Sequence, residues 1–401
     1  MGIRMAGMTA ALGASLLAAA PDASAQDKFV FGGLLPLTGA AAAFGPGMSA
    51  ALELAVRDIN AAGGVLGARA EVVFADDACD ANVAAPALDR LVGQSAKAIM
   101  GTGCSGVTLA LLDKIQSAKV AMCAGANTAP NLSTAPDGGY FFRTSYSQAM
   151  VGPVMAQLVL ADGHTSVAVL GRGDSFGEGL ATGVKNALEA RGAKVTKFII
   201  YDPAQTAFEA EIASVVATKP EAIVMVGRDE RAQIFRLLIE RGMGPAKIGW
   251  YTPGGMAADF YKNVDPGNPA VLKGLRQTAP AKAEDFVKRV AEVNPQVKEF
   301  LFAAEQYDCA VLMALAATAA RSSTPATFKD HLVGLTRGDT RCTTYAECLK
   351  ALGDGRKIAY VGPTGPTYMS DIGEPTIVRV QLMEVDDKGV ARPTRMVEIG
   401  R

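Results

Sequence analysis

The feature that most limits what this chain can fold into is a repeated alternation of short apolar runs with helical stretches. Phe29 to Leu35 reads as a buried strand, Pro36 to Gly47 as a Gly/Pro/Thr-rich loop and Met48 to Ala62 as a helix. The rhythm continues through strand Ala70–Ala75, helix Ala84–Ser95, strand Ala98–Gly101, helix Val107–Ser117 and strand Ala121–Ala124. Strands linked through helices run parallel, and a parallel sheet needs helices on both faces. A second run starts after Phe142-Arg143-Thr144, with helix Gly152–Ala161, strand Ser166–Leu170, helix Gly179–Ala190 and strand Lys194–Tyr201. Helix Phe208–Thr218, strand Ala222–Val226, helix Arg231–Arg241 and strand Lys247–Tyr251 extend it. The chain therefore predicts an α/β protein of two doubly wound parallel-sheet lobes. The helical pattern Ala303–Ala320 and the β-rich stretches Val361–Tyr368 and Thr376–Val385 continue neither lobe simply. They predict chain that crosses back to the first lobe and returns, making a multi-crossing hinge. The expected division is 27–146 with about 278–355 for lobe 1 and 147–277 with about 356–401 for lobe 2, with a ligand cleft between them.

Residues 1–25 read as an export signal: Arg4, the apolar run Met5 to Ala20, and Ala23-Ser24-Ala25 as a small-x-small site cleaved after Ala25. The apolar run is shorter than the ~20 residues that span a bilayer. Gln26 follows where a lipidated protein would carry Cys, so a freely diffusing periplasmic monomer without stable membrane insertion is expected. The six cysteines suit an oxidising compartment. Cys79 and Cys104 fall at adjacent strand ends of one lobe and are expected to pair. Cys342 and Cys348 are spaced to close a small loop or one helical turn, too wide for CxxC chemistry. Cys123 and Cys309 lie in apolar surroundings and are expected to pack as free small hydrophobes, a third disulfide being the lesser reading.

Several function classes fall away. Lys+Arg number 39 against 40 Asp+Glu, and no basic stripe interleaves with aromatics, which excludes a nucleic-acid partner. The two histidines, His164 and His331, are far apart and read as surface residues, leaving no His-based metal site or Ser-His-Asp triad. Gly103-Cys104-Ser105-Gly106 offers a nucleophile, but no base lies in a strand-end loop. No GxSxG elbow is present, and Gly171-Arg172-Gly173 lacks the third Gly of a dinucleotide fingerprint. Neither an enzyme nor a cofactor is expected.

Ligands of open parallel sheets sit beyond the carboxyl ends of the strands. That rule selects the loops Thr38–Gly47, Gly101–Gly106, Gly125–Thr128 and Gly171–Gly179, all rich in Gly, Ser and Thr. Ser105 and Thr128 bring hydroxyls and free helix-start amides toward one anion, for which a carboxylate is the natural occupant. The plainer alternative makes Ser105 a helix cap and Thr128 a turn residue.

The order of motifs from Leu34-Leu35-Pro36-Leu37-Thr38-Gly39 through Phe44-Gly45, Asp58 to Gly64, Asp76-Asp77-Ala78-Cys79-Asp80 and Cys104-Ser105 resembles the periplasmic leucine/isoleucine/valine-binding proteins. These are the type I receptors of ABC importers. Phe142-Arg143-Thr144, Phe176-Gly177-Glu178-Gly179, Tyr201-Asp202-Pro203 and Tyr307-Asp308 extend the resemblance over nearly the whole chain. It implies the Cys79–Cys104 disulfide and a carboxylate seat at Ser105, Ala126 and Thr128. It also implies aromatic cover from Phe44 and Phe176, with Tyr146 a further candidate. Two departures bear on the ligand. The acidic position that meets an amino-acid ammonium corresponds to Gly254, and a desolvated ammonium without a counter-charge costs several kcal/mol. Arg228 stands near a position often held by Tyr and favours a second anionic or polar acceptor group on the ligand, unless it pairs with Asp229 or Glu230. The resemblance thus implies a receptor that closes on a small carboxylate, preferably a non-amino aromatic or aliphatic acid, and delivers it to importer permease subunits. The alternatives are a sensor for a membrane signalling protein and an amide- or acid-processing enzyme.

Overall fold

The computed structural model describes Met1, Gly2 and residues 28–254, 256, 259–280 and 283–400; the expected leader lies, beyond its first two residues, outside the described residues. Strand β1 (Phe29–Leu35) is flanked by β2 (Ala70–Asp76) and β3 (Ala98–Gly101), and β4 (Ala121–Ala124) and β5 (Phe141–Arg143) complete a five-stranded sheet in the order β2-β1-β3-β4-β5. Every pairing in it is parallel. Helices α1 (Gly45–Ala61), α2 (Ala81–Gly93) and α3 (Ser105–Ala118) connect the strands. Residues of β3 and β4 are buried throughout, as expected for strands covered on both faces. Strand β5 is not foreseen from the sequence because three residues carry no period.

The second lobe starts with α4 (Val151–Ala161), β6 (Ser166–Arg172), α5 (Gly177–Glu189) and β7 (Lys194–Tyr201). It goes on through α6 (Glu209–Ala217), β8 (Ala222–Val226), α7 (Arg231–Glu240), β9 (Gly249–Pro253) and β10 (Arg276–Pro280). The chain then returns to the first lobe as helix Glu284–Val293, the long helix Ala303–Ala320 and a small sheet of β11 (Thr340–Cys342), β12 (Ile358–Gly362) and β13 (Gly365–Pro366). Finally β14 (Val378–Val385) and β15 (Ala391–Ile399) lie on the open edge of the second sheet, whose order is β15-β14-β10-β9-β8-β6-β7. Both are antiparallel. That edge corrects the expectation of a wholly parallel second lobe: a hairpin closed by the Asp386–Gly389 turn needs no crossover helix.

The long helix is apolar around its whole circumference and is buried from Glu305 to Ala317, packed on α1 in the first core. Cys309 on this helix bonds Cys123 of β4, so the expected free thiols are instead a third disulfide, with Cα atoms 5.5 Å apart. Both residues face the same layer contact, which a separation of 186 residues hides from local reading. Cys79–Cys104 and Cys342–Cys348 are also bonded, the latter joining the end of β11 to the helix Tyr345–Gly353.

The boundary expected at about 355 falls short, because Ile358, Tyr360 and Met369 belong to the first core. The anchor is buried Asp308, which accepts from Tyr360 Oη at 2.6 Å, Thr364 N at 3.1 Å and Thr364 Oγ1 at 2.5 Å. Burial pushes this carboxyl up to about 6, and pushes Glu305, one turn earlier, up to about 7. Asp77 in the first lobe is likewise raised by burial to about 6. An acid whose folded pKa lies above its unfolded value adds stability at low pH that is lost as pH rises through the folded value. Unfolding free energy is therefore expected to drop by roughly 2 kcal/mol or more between pH 5 and pH 8, since each tenfold gain in proton affinity on folding is worth about 1.4 kcal/mol. Urea titrations at the two pH values test this. A stability that rises over that interval rules it out, and Glu305→Gln should flatten the slope.

Candidate functional site

The ligand-facing loops of the first lobe are built from carboxylates that gather backbone N–H groups. Asp76, at the end of β2, accepts from Leu37 N (2.9 Å), Thr38 N (3.1 Å) and Ala78 N (2.9 Å), and also from the Thr38 hydroxyl. Asp77 accepts from Cys79 N and Gly103 N, each at 2.7 Å, and the Cys79–Cys104 disulfide ties the same two loops together. Helix α3 opens at Ser105, while Cys104 is its N-cap and makes no side-chain cap bond. Ser105 is therefore not the cap. Its Oγ accepts from Ala129 N at 3.2 Å, which leaves the hydroxyl proton for another acceptor.

The loop after β4 is held from behind by Arg143, which is 1% exposed. Its guanidinium donates to Asn127 O (3.1 Å), Ala129 O (2.9 Å) and Ser133 Oγ (2.7 Å), and it pairs with Glu374. Ser145 Oγ also donates to Asn127 O at 3.0 Å, and Asn127 Nδ2 donates to Thr102 O at 2.7 Å. Four bonds thus fix the residues on either side of Thr128. This side chain positions the loop, and its only sequence signal is its place in the Phe142-Arg143-Thr144 motif.

On the second lobe Arg172 pairs with Asp174 at 2.7 Å and Glu230 at 3.0 Å. Asp174 in turn accepts from Phe176 N and Gly177 N at the start of α5, which sets the Phe176 ring. The Arg228 guanidinium lies over that ring, 5.3 Å from its centroid. Among the described residues Arg228 makes no ion pair: Glu230 is taken by Arg172 and Tyr201 and accepts only the backbone N–H of Arg228. Burial lowers the Arg228 pKa, partly offset by Asp174. Arg231, read from sequence only as the first residue of a helix, donates to Arg228 O and to Thr252 Oγ1, both at 2.8 Å. Burial lowers its pKa to about 10.

Between these walls lies a cavity of about 300 Å³. It brings together all eight residues proposed from sequence: Phe44, Ser105, Ala126 and Thr128 on one wall, Tyr146 at the crossing, and Phe176, Arg228 and Gly254 on the other. Sequence reasoning missed Gln148, Arg231, Gln277 and Phe302, which also line it. Phe302 sits at φ 65 just before the long helix, and its ring meets Phe44 edge-on at 5.7 Å. Gly254 has φ 90, a left-handed backbone that an acidic residue adopts only under strain. Two carboxylates, Asp229 and Glu299, nevertheless reach the cavity. Asp229 is exposed, and Glu299 Oε1 already accepts from Phe300 N and Leu301 N.

The sequence profile of the periplasmic binding protein family matches residues 28–389. This chain belongs to that family. A leucine-, isoleucine-, valine-, threonine- and alanine-binding protein of Pseudomonas aeruginosa is 30% identical over 261 residues, covering 60% of this chain and 69% of the relative. The alignments span 62% to 69% of the length of the first four curated relatives it matches. Among solved structures, a leucine-binding protein of Thermotoga maritima superposes with a TM-score of 0.76 at 20% identity, covering 92% of this chain and 98% of the other. A solute-binding protein of an R. palustris ABC transporter, in complex with benzoate, gives 0.72 at 18% identity, covering 94% and 98%. These likenesses show the two-lobed type I fold. This periplasmic binding protein is a binding protein and not an enzyme, and Gly103 and Ser105 line its cavity. Among the described residues no helix is long and apolar enough to cross a membrane.

Proposed function

We propose that this periplasmic binding protein is the monomeric receptor of an ABC importer, exported on its 1–25 leader, and that it closes its lobes on a small carboxylate and delivers it to the permease subunits. The carboxylate docks on the first lobe, accepting from the Ser105 hydroxyl, the Ala126 backbone and Thr128. Phe44 and Phe176 cover the ligand body. The preferred class is a non-amino aromatic or aliphatic carboxylic acid. One observation carries that preference: among the described residues the cleft has a cation without an ion pair, Arg228, but no desolvated carboxylate dedicated to an ammonium. Asp229 is exposed to water and salt, Glu299 is engaged by two backbone N–H groups, and position 254 has no side chain. An ammonium buried there costs several kcal/mol. The benzoate complex of an R. palustris relative supports such a cargo, while the amino-acid receptors among the relatives support the rival. Calorimetric titration of the purified protein with benzoate, hexanoate and leucine decides between them. Tight leucine binding with weak binding of both acids overturns the preference.

Ser105→Ala tests the seat. A hydrogen bond to a charged acceptor contributes about 1.5–3 kcal/mol, so affinity for the carboxylate should fall by roughly tenfold or more. The fold should lose little, because Ser105 is no cap and gives up only the 3.2 Å bond from Ala129 N. Unchanged affinity removes Ser105 from the site.

A further inference from the structure

The second wall of the cleft holds more positive and donor character than one carboxylate on the opposite wall can use. Arg228 is stacked on Phe176 and makes no ion pair among the described residues, although Asp174, Glu230 and Asp229 all lie near enough to influence it. Two of those carboxylates are committed elsewhere. Asp174 binds Arg172, Phe176 N and Gly177 N, and Glu230 binds Arg172, Tyr201 and Arg228 N. Asp229 is exposed. Beside Arg228 the chain sets Arg231, fixed by Thr252 Oγ1. Next to Thr252 in register comes Gln277, which is 2% exposed, lines the cavity and has no hydrogen-bond partner for its Oε1. A half-buried guanidinium left open toward a cavity is costly until an anion meets it, whereas the Gln277 Oε1 is an acceptor and awaits a donor.

We propose that the ligand is a dianion, a dicarboxylic acid with one carboxylate on the Ser105/Thr128 wall and the second on Arg228. The inference rests on the carboxylate-receptor reading above and narrows it. A guanidinium can pair two N–H groups with two carboxylate oxygens, which neither a hydroxyl nor an amide on the ligand can match. Asp229, exposed and next to Arg228 in the chain, is the internal rival for its charge.

The test compares ligands that differ only at the far end: benzoate, 4-carbamoylbenzoate and benzene-1,4-dicarboxylate, together with hexanoate and hexanedioate, each titrated calorimetrically into the wild-type protein. The expected result is that, in at least one of the two series, the dianion binds tenfold or more tightly than its monoanionic partner. That ratio should shrink toward one in Arg228→Gln and should persist or grow in Asp229→Asn. If the monoacids bind as tightly as the diacids in the wild type, the dianion inference is overturned while the carboxylate seat stands. A ratio that survives in Arg228→Gln also overturns it. Binding of leucine with no binding of any acid overturns the parent reading and this one together. The wild-type comparison decides the matter even where a variant fails to fold.

Discussion

Converting Cys123 and Cys309 together to Ala is expected to lower the unfolding free energy far more than converting Cys342 and Cys348. Cross-linking restricts the unfolded chain in proportion to the logarithm of the loop it closes, about 5 kcal/mol for a loop near 200 residues against about 2 kcal/mol for one of six. The separations are 186 and 6 residues, and the three loops do not overlap, so the contributions are close to independent. Urea unfolding of the oxidised wild type and the two double-Ala variants gives the ordering directly. An equal or smaller loss for the Cys123/Cys309 pair would sink the argument. The bridge also reaches the ligand. Strand β4 runs from Cys123 into the Gly125–Thr128 loop, and the first turn of the long helix packs so closely there that a Cβ on Gly125 would lie 2.7 Å from Gln306 N. Loss of the bridge frees that helix start, so weaker carboxylate binding is expected alongside the lost stability.

What could be read from the sequence follows the range of the signal. Alternation of strands and helices is local, and it marked β1 to β4 and β6 to β9 because each of these strands has a helix as its neighbour in the chain, before or after it. Strand β10 escaped because it follows the Gly/Pro-rich 253–274 segment, with no periodic helix before it. The antiparallel edge escaped because β14, on which β15 is laid, pairs with β10, a strand roughly a hundred residues earlier. In the same way Cys123 and Cys309 look like two apolar positions until the long helix is set on β4. The cavity wall was legible where it comes from strand-end loops, which the parallel-sheet rule selects, as with Ser105, Thr128 and Phe176. It was not legible at Gln148 and Gln277, which come from a crossing and from β10, the interior strand at which the sheet changes from parallel to antiparallel. Two single residues also differ in role from their local pattern. Ser105 resembles a cap until Cys104 is found in that place, and Arg228 resembles half of a local ion pair until Glu230 is found turned to Arg172.

Arg143→Met is expected to cost about 3–5 kcal/mol of stability and, in the fraction that folds, at least tenfold in carboxylate affinity. The side chain is buried, and it answers two backbone carbonyls, a serine hydroxyl and the Glu374 carboxylate. Met fills much of the volume but leaves Glu374, only 17% exposed, without its cation, and removing one partner of a buried pair costs about 3–5 kcal/mol. Affinity falls for a separate reason. Asn127 O and Ala129 O are the two points that fix the backbone around Thr128, and a seat displaced by even an ångström loses its directed bonds to the anion. The same residue also reaches the segment between β13 and β14, where its backbone N–H donates to Gly373 O at 3.0 Å and its guanidinium holds Glu374. One side chain thus couples the carboxylate seat to the segment that hinges the lobes. Glu374→Gln separates the two effects, since it keeps a hydrogen-bond acceptor for Arg143 while removing the charge. It should lower stability by less than Arg143→Met and leave the Thr128 loop in place, with affinity for benzoate or its 4-carboxylate analogue within about threefold of wild type, or about 0.6 kcal/mol. An affinity loss in Glu374→Gln as large as in Arg143→Met would mean that the crossing, rather than the loop, controls the seat.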